Sequence, residues 1–534
     1  RTERARAMAV ASHVVEDQRE VIAFLSDPRT HGGAAVERID THGAVVALAG
    51  ERAYKLKRAV KFPYMDFSTL ALRRRACEAE LALNRRTAPS LYLAATPITR
   101  AADGALSFGG QGRVVDWVVV MRRFGQEALF DRLAERGALA PSLMTALADA
   151  VLDLHAAAER RLEHGGAEGI ARVIAGNDAE LGGSGGGCFE ASKVVRLKVE
   201  SEAALRRLRP LLEGRRMAGL VRHCHGDLHL RNICLFEGRP TLFDAIEFND
   251  QIACIDVLYD LAFLLMDLDK RRLGSLGNLV FNRYLSEGAR RGALGELSGL
   301  ATLPLFLSCR AAVRAQVGAA AAAAQPEAAR ARRMTEEAGA YLDLALGYLA
   351  PPAPVLVALG GLSGSGKSTL ARALAPALGA VPGAVVLRSD VIRKHILGRE
   401  ALARLGPEGY TAEVTARVYQ TIRERARVAL SAGHAVVADA VHGRLEERAA
   451  IEAVAREAGV AFRPLWLEAP AEVLEARVRE RSGDASDASV EVLRGQLGLA
   501  LGDIAWPKLE VSGTIETALG HARGLLGLAA GASH

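Results

Sequence analysis

Lysine is scarce in this chain. Only nine of its 68 basic residues are lysine, and asparagine occurs six times in 534 residues. Arginine stands almost wherever a positive charge suffices, so each remaining lysine marks a position worth inspection. Cysteine is also sparse: the six, at 77, 188, 224, 234, 254 and 309, form no Cys-x-x-Cys pair and no regular spacing. That pattern implies no disulfide framework and fits reduced thiols in a cytosolic protein. Lysine and arginine nowhere form a block resembling a nucleic-acid arm. The formal charge of +6 and pI near 9.0 are spread along the chain and express a weak preference for anionic ligands. Long apolar runs are missing too. The greasiest, Val257 to Leu268, is broken by Asp260 and Asp267 and falls short of the ~20 residues a bilayer needs, so it reads as a buried helix. Arg1 to Glu20 is charged and holds no apolar stretch of signal-peptide length, so no secretory signal is expected.

Half of the residues are hydrophobic, so burial is not limiting. At about 150 residues per domain, this length suggests three or four units, or two large ones. Pro351-Pro352-Ala353-Pro354 cannot continue a helix, and the apolar run Val355 to Leu359 behind it reads as a buried strand. A boundary is expected there, giving domains 1–350 and 351–534. Glu327 to Leu349 has helical spacing after Pro326 and should close the first domain. Gly318 to Ala324 suits helix or connector, and Gly182 to Gly187 is a flexible loop by composition.

Two strings carry chemistry. Gly361-Leu-Ser363-Gly364-Ser365-Gly366-Lys367-Ser368-Thr369 fits the phosphate-binding P-loop: a glycine-rich turn aims backbone N–H groups at phosphate oxygens, Lys367 reaches the β/γ-phosphates and the Ser368 hydroxyl holds Mg²⁺. At this chain's own residue frequencies, a chance match arises in roughly one such sequence in a hundred. His225-Gly-Asp227-Leu-His-Leu-Arg-Asn232 is comparably rare and fits a kinase catalytic loop. There an aspartate lies beside the acceptor hydroxyl and an asparagine five residues on binds metal, followed about a dozen residues later by a metal-binding aspartate, here Asp244.

Upstream, Ala44 to Ala49, a Gly50-Glu51 turn, and Arg52 to Lys57 read as a β-hairpin. Ala53-Tyr54-Lys55 matches the Ala-x-Lys strand whose lysine pairs the α/β-phosphates, with Lys57 on the same face as the alternative. The helical run Leu70 to Arg85 carries Glu78 and Glu80, either of which could complete the lysine–glutamate pair, and Glu80 is preferred. Residues from about Thr41 to Ala262 thus resemble the aminoglycoside phosphotransferase and choline kinase superfamily. That resemblance implies an α+β bilobal, protein-kinase-like fold with Asp227 as the acceptor-side acid, Asn232 and Asp244 as metal ligands, and Asp256 to Asp260 as the structural motif behind the site. Thr41-His42-Gly43 departs from it, lacking the glycine-rich nucleotide loop of protein kinases.

In the second domain, strand, P-loop and helix in succession predict an α/β P-loop NTPase fold with a parallel sheet. Ala384 to Arg388 reads as a strand that ends at Ser389-Asp390 before Val391-Ile392-Arg393-Lys394 opens a helix. Ligands lie at the carboxyl ends of strands in such sheets, so Asp390 and Arg393 should face the substrate. The Asp-x-x-Arg is similar to that of gluconate and shikimate kinases and, more distantly, zeta toxins. The resemblance implies that Asp390 orients or deprotonates the acceptor hydroxyl, that Arg393 binds substrate, and that lid arginines, here Arg477 and Arg481, offset phosphoryl charge. His434 to Ala438 is a further strand ending in Asp439, a candidate Mg²⁺ ligand. The expectation is a bifunctional enzyme using ATP and Mg²⁺ on a small-molecule hydroxyl acceptor, with no nucleic acid and no membrane as partner. The contrasting expectation is an ATP-binding switch with no small-molecule acceptor.

Overall fold

A computed structural model of the chain describes residues 13–62, 64–183, 188–292, 294–480, 485–498 and 501–528. It divides into two compact units: residues 1–264 with 309–342, and residues 265–308 with 343–534. Residues 184–187 of the glycine-rich loop lie outside the described residues.

The first unit begins with helix α1 (Arg19–Ser26) and strands β1 (Val36–Asp40), β2 (Ala44–Ala49) and β3 (Arg52–Lys57). The β2–β3 hairpin is antiparallel, with Ala49 opposite Arg52. Gly50 takes φ +55, as a two-residue hairpin turn requires of its first central position. Helix α2 (Leu70–Asn84) follows, its N-cap Thr69 hydroxyl accepting from the Leu72 N–H at 3.2 Å. Strands β4 (Tyr92–Arg100), β5 (Leu106–Phe108) and β6 (Arg113–Arg122) complete a six-stranded sheet in the order β1-β2-β3-β6-β4-β5.

Successive side chains of a strand face opposite ways, and β3 shows the consequence. Leu56 and Tyr54 join the core of Val45, Ala47, Ile98, Val118 and Val120 that α1 covers with Val21 and Leu25. Lys55 and Lys57 face the other side, toward α2. Beyond β6 the unit is mostly helical, with helix α3 (Pro141–Ala157) and the short strands β7 (Val221–His223), β8 (Ile233–Phe236), β9 (Arg239–Leu242) and β10 (Cys254–Asp256). β10 pairs antiparallel with β7, Cys254 opposite His223, and helix α4 (Val257–Lys270) starts directly after it. The motif loop from His225 lies between β7 and β8, and the β8–β9 hairpin delivers the chain to Asp244.

The second unit is built on β11 (Val355–Gly361), helix α6 (Lys367–Leu374), β12 (Val385–Arg388), α7 (Ser389–Ile396), α8 (Ala412–Ser431), β13 (Val436–Asp439), α9 (Leu445–Ala458), β14 (Ala461–Glu468), α10 (Ala471–Glu480), α11 (Val490–Leu497), β15 (Lys508–Glu510) and α12 (Ile515–Leu525), preceded by α5 (Gly274–Arg290). Its five strands are all parallel, in the order β12-β13-β11-β14-β15. Such a sheet is covered on both faces and reads as continuous apolar runs. Here Val357, Leu359, Val437, Leu465 and Leu467 pack with Leu370 and Leu374 of α6 and Ala522 of α12.

Among the described residues the edge strand β12 has no neighbouring strand on its outer side, and α5 supplies one in side-chain form. Asn278 Nδ2 donates to the carbonyls of Pro382 (3.0 Å) and Ala384 (3.1 Å). Asn282 Nδ2 donates to Ala384 O at 3.1 Å while its Oδ1 accepts from the Val386 N–H at 2.7 Å. Two of the six asparagines thus serve the backbone of one strand edge.

All six cysteines are free thiols. No helix among the described residues is long and apolar enough to cross a membrane.

Replacing Asn278 and Asn282 together by alanine strands these buried edge groups. The expected cost is about 1–3 kcal/mol per unsatisfied group, read as a lower urea midpoint of the transition that tracks Trp466 and Trp506, both buried in the second unit.

Candidate active sites

In the first unit, α2 turns Glu80 inward with no exposed side-chain surface, while Glu78 stays at the surface paired with Arg74 at 2.9 Å. Because β3 presents lysines two residues apart, both reach Glu80. Lys55 Nζ lies 2.8 Å from Oε1 and Lys57 Nζ 2.5 Å from Oε2. Lys55 also meets Asp244 Oδ1 at 2.5 Å, and Lys57 also meets Glu247. Burial works to raise the Glu80 carboxyl, but the two ammonium groups outweigh it and hold it down at about 2. Burial pushes the Glu247 carboxyl up, with Lys57 beside it opposing.

Asp244 occupies the left-handed region at φ +61, which aspartate tolerates better than most residues. Its N–H donates to the buried Tyr92 hydroxyl at 3.1 Å, and the next N–H, of Ala245, donates to Asn84 Oδ1 at 2.9 Å. The catalytic-loop string is held from behind by Asp260 in the first turn of α4. One Asp260 oxygen accepts from the Gly226 N–H at 2.9 Å, the other from the His225 N–H and His155 Nε2, both at 3.0 Å. His225 Nε2 meets Phe243 O at 2.9 Å, tying this loop to the one that carries Asp244.

At the front of the loop Asn232 Nδ2 donates to Asp227 Oδ2 at 2.8 Å, and His229 Nε2 lies 3.3 Å from that same oxygen. Burial favours protonation of Asp227, but His229, His225 and Arg310 together hold its carboxyl below the usual carboxylate range. Asp227 thus remains an anion able to orient a hydroxyl by accepting its hydrogen bond.

In the second unit the P-loop runs from the end of β11 into α6. Gly361 sits at φ +138, where a Cβ would come within 2.5 Å of Leu467 O; Gly364 sits at φ +84, where one would come within 2.7 Å of Leu474 O. Only glycine lets the loop close this tightly. Lys367 Nζ reaches Leu362 O at 2.9 Å, and Ser368 Oγ donates to Asp439 Oδ2 at 2.6 Å. Ser368 and Asp439 therefore present neighbouring oxygens, the donor set a hard divalent cation takes.

A cavity of about 660 Å³ opens over this loop. Ser363, Gly364, Ser365, Gly366, Lys367, Ser368 and Thr369 line one part of it, and Asp390, Arg393, Tyr410, Tyr419, Arg444 and Ser486 line another. Burial and the nearby Asp439 charge raise the Asp390 carboxyl above its ordinary value, against the pull of Arg388 and Lys367. Arg393 is held by the protein itself: Nη1 donates to Gly409 O at 2.7 Å and Thr415 Oγ1 at 3.2 Å, and its guanidinium lies 4.8 Å from the Tyr410 ring centre.

Of the two lid arginines expected, Arg477 lines the cavity with Nη2 on Val511 O at 2.6 Å, whereas Arg481 lies outside the described residues. Gly361 is at the base of the loop and does not line the cavity. Sequence reasoning assigned nothing to Lys394, which is fully buried and pairs with Asp487 at 3.1 Å; Asp487 also accepts from the Leu405 N–H and the Tyr410 hydroxyl. The scarcity of lysine was the available signal. Gln496, whose Oε1 accepts the Ser363 N–H at 2.9 Å, had no such signal.

With this geometry in hand, residues 57–295 match the model of the phosphotransferase enzyme family and residues 356–500 match an AAA domain model. An uncharacterized protein of Mycobacterium tuberculosis is 29% identical over 496 residues, covering 90% of this chain and 94% of the relative. The adenylyl-sulfate kinase of Myxococcus xanthus is 36% identical over 119 residues, covering 22% of this chain and 60% of that one. Among solved structures, a choline/ethanolamine kinase family protein from Mesorhizobium loti aligns at 15% identity over 62% of this chain and 98% of that one, with a TM-score of 0.34. The chain joins a domain of the phosphotransferase enzyme family to a P-loop kinase domain, and both are kinase-family enzyme domains.

A carboxylate held as low as Glu80 supports folding above its ordinary value of 4.5, and that support disappears as pH falls toward about 2. Between about pH 5 and pH 2 the wild-type chain should therefore lose urea resistance more steeply than Glu80→Gln, in midpoints measured at half-unit pH steps.

Proposed function

We propose that the chain is a bifunctional ATP-dependent phosphotransferase, each domain moving the γ-phosphoryl group of ATP to a hydroxyl of a small, sugar-like or amino-alcohol metabolite. Residues 1–350 and 351–534 are taken as the two functional domains, with residues 265–308 contributing packing to the second. The observation that carries the reading is the single cavity lined by both the phosphate loop and an acceptor-side acid, Lys367 and Ser368 with Asp390.

In the second domain, P-loop N–H groups and Lys367 would bind the β/γ-phosphates, Arg393 would hold the acceptor, and Asp390 would orient its hydroxyl and take its proton. The raised Asp390 carboxyl binds a proton more readily than an ordinary aspartate does. In the first domain, Lys55 paired with Glu80 would hold the α/β-phosphates, and Asp227 would orient the acceptor hydroxyl by accepting its hydrogen bond. Ser368 with Asp439, and Asn232 with Asp244, are the residues that would hold Mg²⁺, which when bound neutralises phosphate charge. Little covalent chemistry is left for the protein, so catalysis is positioning plus charge compensation. Arg477, and Arg481 beyond the described residues, would add positive charge on the nucleotide side.

Retention of Asp227 and Asp390 favours this reading over a nucleotide-driven switch, because a switch needs only the nucleotide-side groups. Lys367→Ala should reduce turnover by the second domain about 100-fold or more and spare the first. Asp227→Ala should do the reverse, by about 10²–10⁴. The assay is ATP consumption against a pool of sugars, amino alcohols, aminoglycosides and nucleosides, with mass spectrometry for an added phosphoryl group. Slow hydrolysis with no phosphorylated product under any condition would sink the acceptor reading and leave the switch.

A further inference from the structure

We infer that Lys57 and Glu247 are positioning residues of the first site, holding Glu80 from its dry side so that Lys55 is free to exchange Asp244 for nucleotide phosphate. The inference rests on the phosphotransferase reading of that site.

Five charged side chains form one series of alternating sign: Asp244, Lys55, Glu80, Lys57, Glu247, each in contact with the next. The series has a wet end and a dry end. The Asp244 side chain is 43% exposed and Lys55 14%, against 0% for Glu80, 4% for Lys57 and 3% for Glu247. A ligand can therefore approach Lys55 and Asp244, whereas Lys57 is closed off, its ammonium lying 5.2 Å from the Phe67 ring centre.

Exposure divides the labour. When Lys55 turns to phosphate and Asp244 to a cation, a glutamate with a single lysine partner would be left buried with its only counter-charge drawn away, an arrangement that is strongly disfavoured. Glu80 avoids it because its two oxygens have separate partners: Oε2 keeps Lys57 whatever Oε1 loses. Glu247 fixes Lys57 in turn. It also lies three residues beyond Asp244, so the same contact pins the segment behind the metal-ligand candidate. The lysine–glutamate pair is thereby assembled before nucleotide arrives, and α2 has no cause to swing away.

The test is a titration of Mg²⁺ with ADP by isothermal calorimetry into the full chain carrying Lys367→Ala, which suppresses binding by the second domain. Lys55→Met should weaken ADP binding about tenfold or more, and Lys57→Met about tenfold. The double variant Lys55→Met/Lys57→Met should bind no more than about threefold weaker than Lys55→Met alone, because Lys57 acts through the partner of Lys55. A merely structural lysine would give losses that multiply. Unchanged affinity in Lys57→Met, or multiplying losses, overturns the inference and leaves the site reading standing. Unchanged affinity in Lys55→Met removes the reading of the site itself. Should Lys57→Met not fold, Glu247→Gln replaces it with the same expected pattern and the same overturning result.

Discussion

A carboxylate with no exposed surface, such as Glu80, is tolerable only against cations that are themselves held in place, and the first site is organised around meeting that condition. β3 is paired on both sides and cannot shift its register without moving every side chain to the wrong face. Its alternation sends Lys55 and Lys57 to α2 while Tyr54 and Leu56 enter the opposite core. The charges are then fixed by the hydrophobic pattern of the strand that bears them. The loop containing Asp244 is anchored to the same place through Tyr92 and Asn84, both buried next to that charge series. Removing the apolar register would therefore dismantle the charge pattern before any catalytic residue changed.

The second site meets a similar demand with backbone rather than side chains. Its phosphate loop draws on N–H groups that only a glycine-rich path can converge, and the loop after β11 brings Ser368, in the first turn of α6, within 2.6 Å of Asp439 at the end of the adjacent parallel strand β13. Leu359 stands opposite Asp439 in that register, so the end of β13 and the start of the loop are set by one ladder. Asp390 follows the neighbouring strand β12 by two residues, which is why three strand ends suffice to assemble Lys367, Ser368, Asp439 and Asp390 around one cavity.

Much of this was legible in the sequence because the signals were local. The hairpin at Gly50, the helix of Glu80 and the strand before the P-loop follow from alternation, capping and glycine spacing within short windows. Arg52 to Lys57 was enough to leave Lys55 and Lys57 on one face, but not to say that Lys57 would also find Glu247, which lies 190 residues away with no local pattern relating them. Lys394 and Asp487 are likewise 93 residues apart. Partners across such separations are chosen by tertiary packing. Composition still hinted at them: in a chain that prefers arginine, three of the nine lysines (55, 57 and 367) lie in the two sites, where a compact ammonium fits between oxygens that a planar guanidinium would force apart, and a fourth, Lys394, is buried against Asp487.

Proline punctuation at 351–354 marks where a new strand begins, yet packing groups residues 265–308 with that strand's sheet. The two statements are compatible once the edge of β12 is considered. A parallel sheet whose last strand is unpaired leaves N–H and carbonyl groups that must find partners or face water. Asn278 and Asn282, one helical turn apart on α5, offer amide groups at the spacing of strand residues and satisfy carbonyls and an N–H of that edge. Glu287 on the same helix lies 3.7 Å from His395 of α7, the helix that carries Asp390 and Arg393. The helix that closes the sheet thus also braces α7, so a boundary drawn by sequence alone would sever the sheet of the phosphate loop from part of what holds Asp390 and Arg393 still.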